Sequence, residues 1–418
     1  MADTYAWQVG IDWGSVEHAV CLLDASGQVC GERRVAHTAA AVHEAIAWIR
    51  ARTGAPPDAI AVAIETPRGV LVDTMIDQGF PVFAINPKQL DRFRDRFTAS
   101  GAKDDRRDGH VLADGLRTDA RAFRRVQPDD PAIIQLRERC RIVEDLQEQE
   151  QRLANRLRDQ LFRIDAAWLA LSPAADDPWL WTLLRETPDP AAWPRLARRR
   201  VAAALRAHRI RRLTVDDVMA GLRQPRLTGA PGVADAVALR VASLVPQLLL
   251  VHEQRTAAER CIAQALDALA AAPAPEAESR EHRDVEILRS LPGVGRMVAA
   301  TMLTEATAAV AGRDYAMLRT HGGTAPVTKR SGKRLYAVHM RYACKPRLRH
   351  ALYHWARCSL PLDPATRAYY DALRARGHHH ARALRSVADR WLRILVAMLN
   401  AGQLYDPSRP RCAMAAAA

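Results

Sequence analysis

The stretch Lys103-Asp104-Asp105-Arg106-Arg107-Asp108 concentrates acidic residues near the front of a chain of 418 residues. Asp105 and Asp108 are three positions apart, so they would share one face of a helix. Two carboxylates held this close repel each other unless a divalent cation lies between them. The stretch therefore predicts a metal site, although surface helices also carry acids at this spacing without binding any metal.

Two more acids belong to short apolar runs that have the length of strands. Asp12 lies in the run 7–12, and Glu65 ends the run 61–65. An acid in such a place costs free energy unless something pairs with it. We therefore expect these two carboxylates to converge with the other pair at the ends of two strands and a helix. Oxygen ligands suit Mg²⁺ or Mn²⁺, and two such ions can clamp the oxygens of a phosphodiester, which indicates phosphoryl transfer.

Residues 5–126 alternate strand-like runs with helix-like runs, which is typical of an α/β domain. The predicted strands lie near 7–13, 18–24, 28–36, 59–65 and 81–85, and the predicted helices lie near 39–52, 68–78 and 104–117. Short turn signals separate the first three strands. We expect these strands to form an antiparallel meander before the helices begin.

Four ordered motifs in this region resemble the RuvC-like domain of the DEDD transposases of bacterial insertion sequences, the bridge-RNA-guided recombinases. They are Val9-Gly10-Ile11-Asp12-Trp13-Gly14-Ser15, Ile64-Glu65-Thr66, Ile85-Asn86-Pro87 and the stretch from Lys103 to Asp108. The resemblance implies a ribonuclease-H-like fold and metal ligands at Asp12, Glu65, Asp105 and Asp108. Asp104 stands where the family usually has Thr or Asn, which leaves open whether Asp104 takes the place of Asp105.

The composition favours a protein that binds a polyanion. A formal net charge of +14 allows the surface to gain affinity by releasing counterions from phosphates, with an anionic membrane surface as the alternative. We expect no membrane-spanning segment, because Arg240 interrupts the best apolar run, 236–251, and the N-terminus carries early acids rather than a signal peptide. Together with the resemblance, these features predict a cytoplasmic, nucleoid-associated bacterial protein.

Neither the cysteines nor the histidines predict a second metal site. The seven cysteines show no Cys-x-x-Cys spacing and no close pairing with histidine, so we expect reduced thiols. The adjacent residues His378-His379-His380 would point in different directions on a helix, which favours a solvated or phosphate-facing patch.

The middle of the chain is predicted to contain two long helices. Residues 132–168 contain no Pro or Gly and repeat apolar residues in a coiled-coil-like pattern, and 234–271 is a second helical stretch. The two could pair as a hairpin within one chain or between chains in a homo-oligomer, a dimer or tetramer. Between them, Trp179, Trp181 and Trp193 lie among arginines. They could stack on bases, but burial in a small core is the favoured interpretation.

A linker at 271–281 leads to a glycine turn and then to a basic segment. The turn Leu291-Pro292-Gly293-Val294-Gly295 resembles a helix-hairpin-helix motif, whose backbone N–H groups could hold a phosphate; a helix connection without a ligand is the alternative. Residues 315–362 contain no Asp or Glu, so a phosphate backbone fits them. The residues predicted to bind nucleic acid are Lys103, Gly293, Gly295, Lys329, Arg330, Lys333, Arg334, Arg341, Lys345, Arg347 and Arg349.

Ser331 lies in the middle of this basic segment. From the residues alone it is either a plain loop hydroxyl or a nucleophile whose alkoxide would be stabilised by cations or a metal. The motifs Leu291 to Gly295, Ala325-Pro326, Ser331-Gly332 and Leu348-Arg349-x-Ala351-Leu352 resemble, in this order, the C-terminal transposase domain of the same family. The resemblance implies that Ser331 attacks DNA and forms a phosphoserine intermediate.

The leading hypothesis is an Mg²⁺-dependent transposase that cleaves and exchanges strands of donor and target DNA and is guided by a structured RNA. Its predicted parts are a RuvC-like metal-binding domain at 1–128, a helical assembly region at 129–285, a C-terminal transposase domain at 286–405 and a tail at 406–418. The acidic cluster lacks a nucleophile and Ser331 lacks an evident base, so we expect both to act on one phosphodiester, contributed by different subunits.

Three other function classes remain open at this point. A junction-resolving endonuclease would use only the RuvC-like site, with a metal-activated water as nucleophile. A sugar-kinase-like or actin-like ATPase would use Gly10-Ile11-Asp12-Trp13-Gly14 as a phosphate-binding hairpin, but no second phosphate loop is evident. A nucleic-acid-binding protein without catalytic activity would need only the positive charge.

Overall fold

A computed structural model describes residues 5–96, 105–164, 167–224, 230–271, 281–331 and 334–408. The chain divides into two compact units, Met1–Asp129 and Asp130–Ala418. The division lies beside the predicted boundary at residue 128. The predicted domain boundaries at 128, 285 and 405 remain predictions, and most of the predicted linker at 271–281 lies outside the described residues.

The first unit is a mixed α/β domain built on a sheet of six strands, with the order β3-β2-β1-β4-β5-β6. The strands are β1 (Trp7–Asp12), β2 (Glu17–Asp24), β3 (Val29–Ala36), β4 (Ile60–Ile64), β5 (Val82–Ala84) and β6 (Arg124–Arg125). The helices are α1 (Ala39–Thr53), α2 (Val70–Asp77), α3 (Pro87–Arg94) and α4 (Asp105–Thr118).

The first three strands form the predicted antiparallel meander, and β4 and β5 then run parallel to β1. β4 is buried along its whole length, which explains its uninterrupted apolar sequence Ile-Ala-Val-Ala-Ile. Helix α1 begins where the Thr38 side chain accepts from the Ala41 N–H, and it ends at Gly54, whose φ of 59° is left-handed. The predicted α/β alternation is confirmed; helix α3 and strand β6 were not predicted.

The second unit is largely helical. Its helices are α5 (Pro131–Ile164), α6 (Ala167–Leu171), α7 (Pro178–Glu186), α8 (Arg198–Ala207), α9 (Val215–Leu222), α10 (Val233–Ala271), α11 (Glu281–Ser290), α12 (Arg296–Glu305), α13 (Thr307–Ala311), α14 (Tyr315–His321), α15 (Pro346–Ser359), α16 (Pro364–Ala375) and α17 (His380–Ala401). Its strands, β7 (Val327–Ser331) and β8 (Arg334–His339), form an antiparallel hairpin.

The two long helices, α5 and α10, pack against each other in antiparallel orientation. Leu136 near the start of α5 shares a core with Leu266 near the end of α10, whereas Leu157 near the end of α5 shares a second core with Val241 near the start of α10. The structure thus contains the intramolecular hairpin. Coiled-coil pairing between chains remains a prediction.

The tryptophans of the middle region are core residues. Trp179, Trp181 and Trp193 are completely buried and belong to the core that α5 and α10 form at this end. The favoured interpretation is therefore confirmed, and these rings are not available to stack on bases. The indole N–H of Trp181 donates to the Ala175 carbonyl at 2.8 Å.

Among the described residues, one helix, α10, is long and apolar enough to cross a membrane by length and composition alone. The expectation that Arg240 excludes such a segment was therefore too strict. Val241 and Leu248 of α10 pack in the same core as Trp181.

All six cysteines within the described residues are free thiols, as predicted; Cys412 lies outside those residues.

Candidate active site

Asp12 and Glu65 lie side by side at one edge of the first unit's sheet. Strands β1 and β4 are parallel and pair Ile11 with Ile64, so the next residue of each chain segment reaches the same edge. Both acids line an open cavity of about 320 Å³, together with Trp13 and Thr66. The structure brings these two predicted site residues together.

Helix α4 is held against the sheet by two glycines. A Cβ atom on Gly10 would lie 1.8 Å from the carbonyl oxygen of Gly109, so the backbones of β1 and α4 touch at this point. The contact places Asp108, the residue before Gly109, against the sheet, where it is 2% exposed. A carboxylate buried this deeply requires a partner.

That partner is Arg94 of α3. Its Nε donates to Asp108 Oδ1 at 2.6 Å and its Nη2 donates to Asp108 Oδ2 at 2.8 Å, a bidentate pair. The same Nη2 lies 3.9 Å from Glu65 Oε2, and the guanidinium also pairs with Asp91. The hydrogen bonds with Asp108 raise the pKa of Arg94 above its ordinary value. Glu65 and Asp108 therefore both lie close to the guanidinium of Arg94.

The remaining residues of the acidic stretch are described only in part. Lys103 and Asp104 lie outside the described residues, and Asp105 is the first residue of α4 with its side chain outside them. Within the described part of the chain, no three His, Cys, Asp or Glu side chains are grouped as a metal site. The donor set of Asp12, Glu65 and Asp108 nevertheless consists of carboxylate oxygens, which suit hard divalent cations. Glu65 and Asp108 already lie close to one positive group, the guanidinium of Arg94.

Two histidines support the loop that follows Asp12. The Gly14 N–H donates to His18 Nδ1 at 3.3 Å, and His18 Nε2 lies 3.0 Å from His37 Nδ1. Burial and the neighbouring His37 lower the pKa of His18 below its ordinary value. Both rings lie beside the half-exposed indole of Trp13. The neutral form of His18 therefore holds the β1–β2 loop at the cavity.

Ser331 is the last residue of β7 and pairs in register with Arg334 of β8. Its side chain lies outside the described residues, as do those of Lys329, Arg330 and Arg334 and the whole of Lys333. The structure therefore places the predicted nucleophile at the tip of a hairpin.

Asp389 of α17 anchors the chain segment that leads into this hairpin. Its carboxylate accepts from the Tyr315 hydroxyl at 3.0 Å, from Arg319 Nε at 3.0 Å and from the Thr324 hydroxyl at 2.9 Å. Thr324 is three residues before β7. A single half-buried carboxylate thus ties α14 and the approach to Ser331 to the C-terminal helix.

Several arginines and lysines predicted to bind nucleic acid have partners within the chain. Arg341 Nε donates to the Ala325 carbonyl at 3.3 Å, and Arg349 donates to the Arg341 carbonyl. Lys345 donates to the Glu305 carbonyl, and Arg347 pairs with Glu144. These cations therefore stabilise the fold around the hairpin, and their contacts with nucleic acid remain a prediction.

The glycine turn between α11 and α12 packs against α15. Gly293 has a φ of 82°, and a Cβ there would lie 2.6 Å from the backbone nitrogen of Ser359. The indole N–H of Trp355 donates to the Pro292 carbonyl at 3.0 Å. Packing thus accounts for Gly293, whereas a Cβ on Gly295 would face open space at the start of α12. The helix-hairpin-helix interpretation and the phosphate contact remain predictions.

Three supporting features were missed by the sequence analysis. The contact of Gly10 with Gly109 had a signal, because a glycine inside a strand marks close backbone approach. Arg94 and Asp389 had none, since each acts on residues that are distant in sequence.

Comparisons with known proteins show which family the chain resembles. Residues 9–165 match a family model of DEDD-type transposases, described as "Transposase", and residues 285–371 match one described as "Transposase IS116/IS110/IS902 family". The chain is 31% identical over 408 residues to the protein named as the candidate transposase of the mini-circle IS117 of Streptomyces coelicolor, covering 96% of this chain and 95% of that one.

Two further relatives extend the comparison. The chain is 29% identical over 409 residues to an uncharacterised protein of the insertion element IS110 of Streptomyces coelicolor, covering 96% of both chains. It is 47% identical over 213 residues to y4uE of Sinorhizobium fredii, named as a candidate transposase, covering 51% of this chain and 59% of that one. The chain therefore belongs to the IS110 family of DEDD-type transposases of insertion elements.

Proposed function

We propose that this transposase cleaves and exchanges DNA strands in an Mg²⁺- or Mn²⁺-dependent reaction that passes through a phosphoserine at Ser331. The observation that carries the proposal is that Glu65 and Asp108 both lie close to the guanidinium of Arg94. Glu65 also lines a cavity together with Asp12. The strand order of the sheet supports the ribonuclease-H-like class that the resemblance implies.

The acidic residues would hold the metal and thereby the scissile phosphate. Divalent ions, when bound, supply electrostatic stabilisation of the attacking and leaving oxygens. Asp12 and Glu65 come from adjacent strands and Asp108 from a helix packed on them, so the ligands would be carried by rigid elements. Asp105 is the proposed fourth ligand, with Asp104 as the alternative.

Ser331 would supply the nucleophile that the acidic site lacks. Its hydroxyl oxygen would form a bond to phosphorus while the bond from phosphorus to a deoxyribose oxygen breaks. Attack by a hydroxyl of the second strand would then release the serine. The position at a hairpin tip, in a segment without acids between residues 315 and 362, suits a group that must reach a phosphate backbone.

We further propose that a structured RNA directs the choice of donor and target DNA and that the chain acts as a homo-oligomer at the bacterial nucleoid. Strong positive charge without a recognised base-reading module supports guidance by RNA. If RNA-free protein selected one DNA sequence at physiological salt, this part of the proposal would be wrong.

Variants of the acids test the proposed metal chemistry. Asp12→Ala and Glu65→Ala should each abolish Mg²⁺-dependent strand exchange with little loss of stability, because neither side chain is buried in a core. Glu44→Ala, at an exposed acid of α1 that pairs with Arg33, is the matched control and should retain activity. Strand exchange that persists in both Asp12→Ala and Glu65→Ala would contradict the proposal.

The third acid motif needs a separate comparison. Asp105→Ala should abolish strand exchange, whereas Asp104→Ala should have a milder effect. Activity that is kept in Asp105→Ala and lost in Asp104→Ala would show that Asp104 is the ligand.

A further inference from the structure

Arg94 lies in contact with one proposed metal ligand, Asp108, and close to a second, Glu65. It contacts Asp108 with two nitrogens, at 2.6 Å and 2.8 Å, and one of these nitrogens also approaches Glu65 at 3.9 Å. A guanidinium with three carboxylate neighbours, Asp108, Glu65 and Asp91, is a built counter-ion for an acidic site.

We propose that Arg94 is a built-in competitor of the metal, which neutralises the acidic site when no metal is bound and must leave Asp108 before a metal can bind. This inference rests on the proposed metal site. It goes beyond it, because it assigns a regulatory role to a residue outside the predicted ligand set.

Burial explains why such a residue is needed. Asp108 is 2% exposed, so its charge would be costly without a cation in contact. Arg94 itself remains partly exposed, with 24% of its side chain accessible. The side chain can therefore exchange the carboxylate for water, or for a phosphate, without being buried and unpaired.

Competition reduces the apparent metal affinity. The metal-competent fraction is the fraction in which Arg94 has left Asp108, and the apparent dissociation constant rises as this fraction falls. Metal ions that bind the acidic site only weakly would therefore fail to displace Arg94. A negatively charged DNA backbone would favour opening, since it offers the released guanidinium another partner.

The test measures Mn²⁺ binding to the full-length, RNA-free chain by titration calorimetry, without any activity assay. Arg94→Gln keeps hydrogen-bonding capacity but removes the charge, and we expect it to bind Mn²⁺ about tenfold tighter than the unsubstituted chain. Arg94→Lys keeps a charge without the two-pronged geometry and should lie between them. Arg92→Gln, at an exposed arginine of the same helix, should bind like the unsubstituted chain.

Thermal unfolding provides the second readout. Without metal, Arg94→Gln should unfold at a lower temperature than Arg92→Gln, because Asp108 loses its counter-ion. Added Mn²⁺ should raise the unfolding temperature more in Arg94→Gln than in the unsubstituted chain.

The outcomes separate the inference from the metal site itself. Equal or weaker Mn²⁺ binding by Arg94→Gln, with a site that Asp12→Ala removes, would overturn competition while leaving the metal site in place. Absence of any Mn²⁺ binding that depends on Asp12 in all these proteins would overturn both.

Discussion

Gly10 of β1 and Gly109 of α4 are in direct backbone contact, and this contact sets the packing distance between the helix and the sheet. A Cβ on Gly10 would lie 1.8 Å from the Gly109 carbonyl oxygen and 2.7 Å from the Ala113 nitrogen. Because Asp12 and Asp108 are close in sequence to these glycines, the contact also fixes how two of the proposed ligands approach each other.

Gly10→Ala should therefore damage both stability and the site. The neighbouring atoms are backbone and cannot rotate away, so we expect a loss of roughly 1–3 kcal/mol in the free energy of unfolding, together with weaker metal binding. Gly295→Ala is the control, because a Cβ there would face open space. Urea unfolding of both variants checks this, and equal stability of the two would contradict the packing account.

Asp389 should be required for the approach to Ser331. Asp389→Ala removes the carboxylate that accepts hydrogen bonds from Arg319, Tyr315 and Thr324, so we expect a loss of about 1–3 kcal/mol in stability and a strong loss of strand exchange. The control is Asp371→Ala in α16, where an exposed aspartate pairs with Arg367 of that helix. This substitution should change the free energy of unfolding by less than about 1 kcal/mol. Full activity of Asp389→Ala would refute the anchoring role.

His18 should make the stability of the folded protein sensitive to acid. Its folded pKa is lowered, so the unfolded chain binds a proton at a higher pH than the folded chain does. The stabilisation is complete above the ordinary pKa of about 6.5 and is lost as the pH falls below it toward the lowered folded value. In His18→Gln the stability should fall less steeply over this range. Unfolding curves at several pH values check this, and an unchanged slope would contradict it.

The two halves of the proposed chemistry should complement each other between subunits. Asp12→Ala and Ser331→Ala proteins are each expected to be inactive, and mixed oligomers should regain part of the activity. Recombination by the mixture is the measurement. If mixed oligomers form and remain inactive, each chain supplies its own complete centre.

The sequence predicted local structure better than it predicted contacts. Most strands and helices of the first unit, β1 to β5 with α1, α2 and α4, follow from the apolar periodicity and turn residues. The buried Trp179 and Trp181 follow from the usual burial of tryptophan. The pairing of Arg94 with Asp108 could not be predicted from the sequence. It joins α3 to α4, and the length of the segment between two helices does not determine how they pack. Similarly, nothing near Ser331 in sequence points to Asp389.

The charged residues show the same limit. Arg347 and Lys345 lie in a segment free of acids, which suggested that they face phosphate. Their partners, Glu144 and the Glu305 carbonyl, come from other helices. Local charge therefore indicates the sign of the surface but does not tell which cations are already paired within the fold.

The central claim is that Ser331 becomes covalently joined to DNA during strand exchange, and trapping this adduct tests it most directly. DNA with a radioactive label should be incubated with the protein, its RNA and Mg²⁺, quenched in denaturant and digested to locate the labelled residue. The account predicts a phosphoserine bond at Ser331 that is absent in Ser331→Ala and in Glu65→Ala. Strand exchange by Ser331→Ala, or cleavage without any protein–DNA adduct, as a metal-activated water would produce, would contradict it.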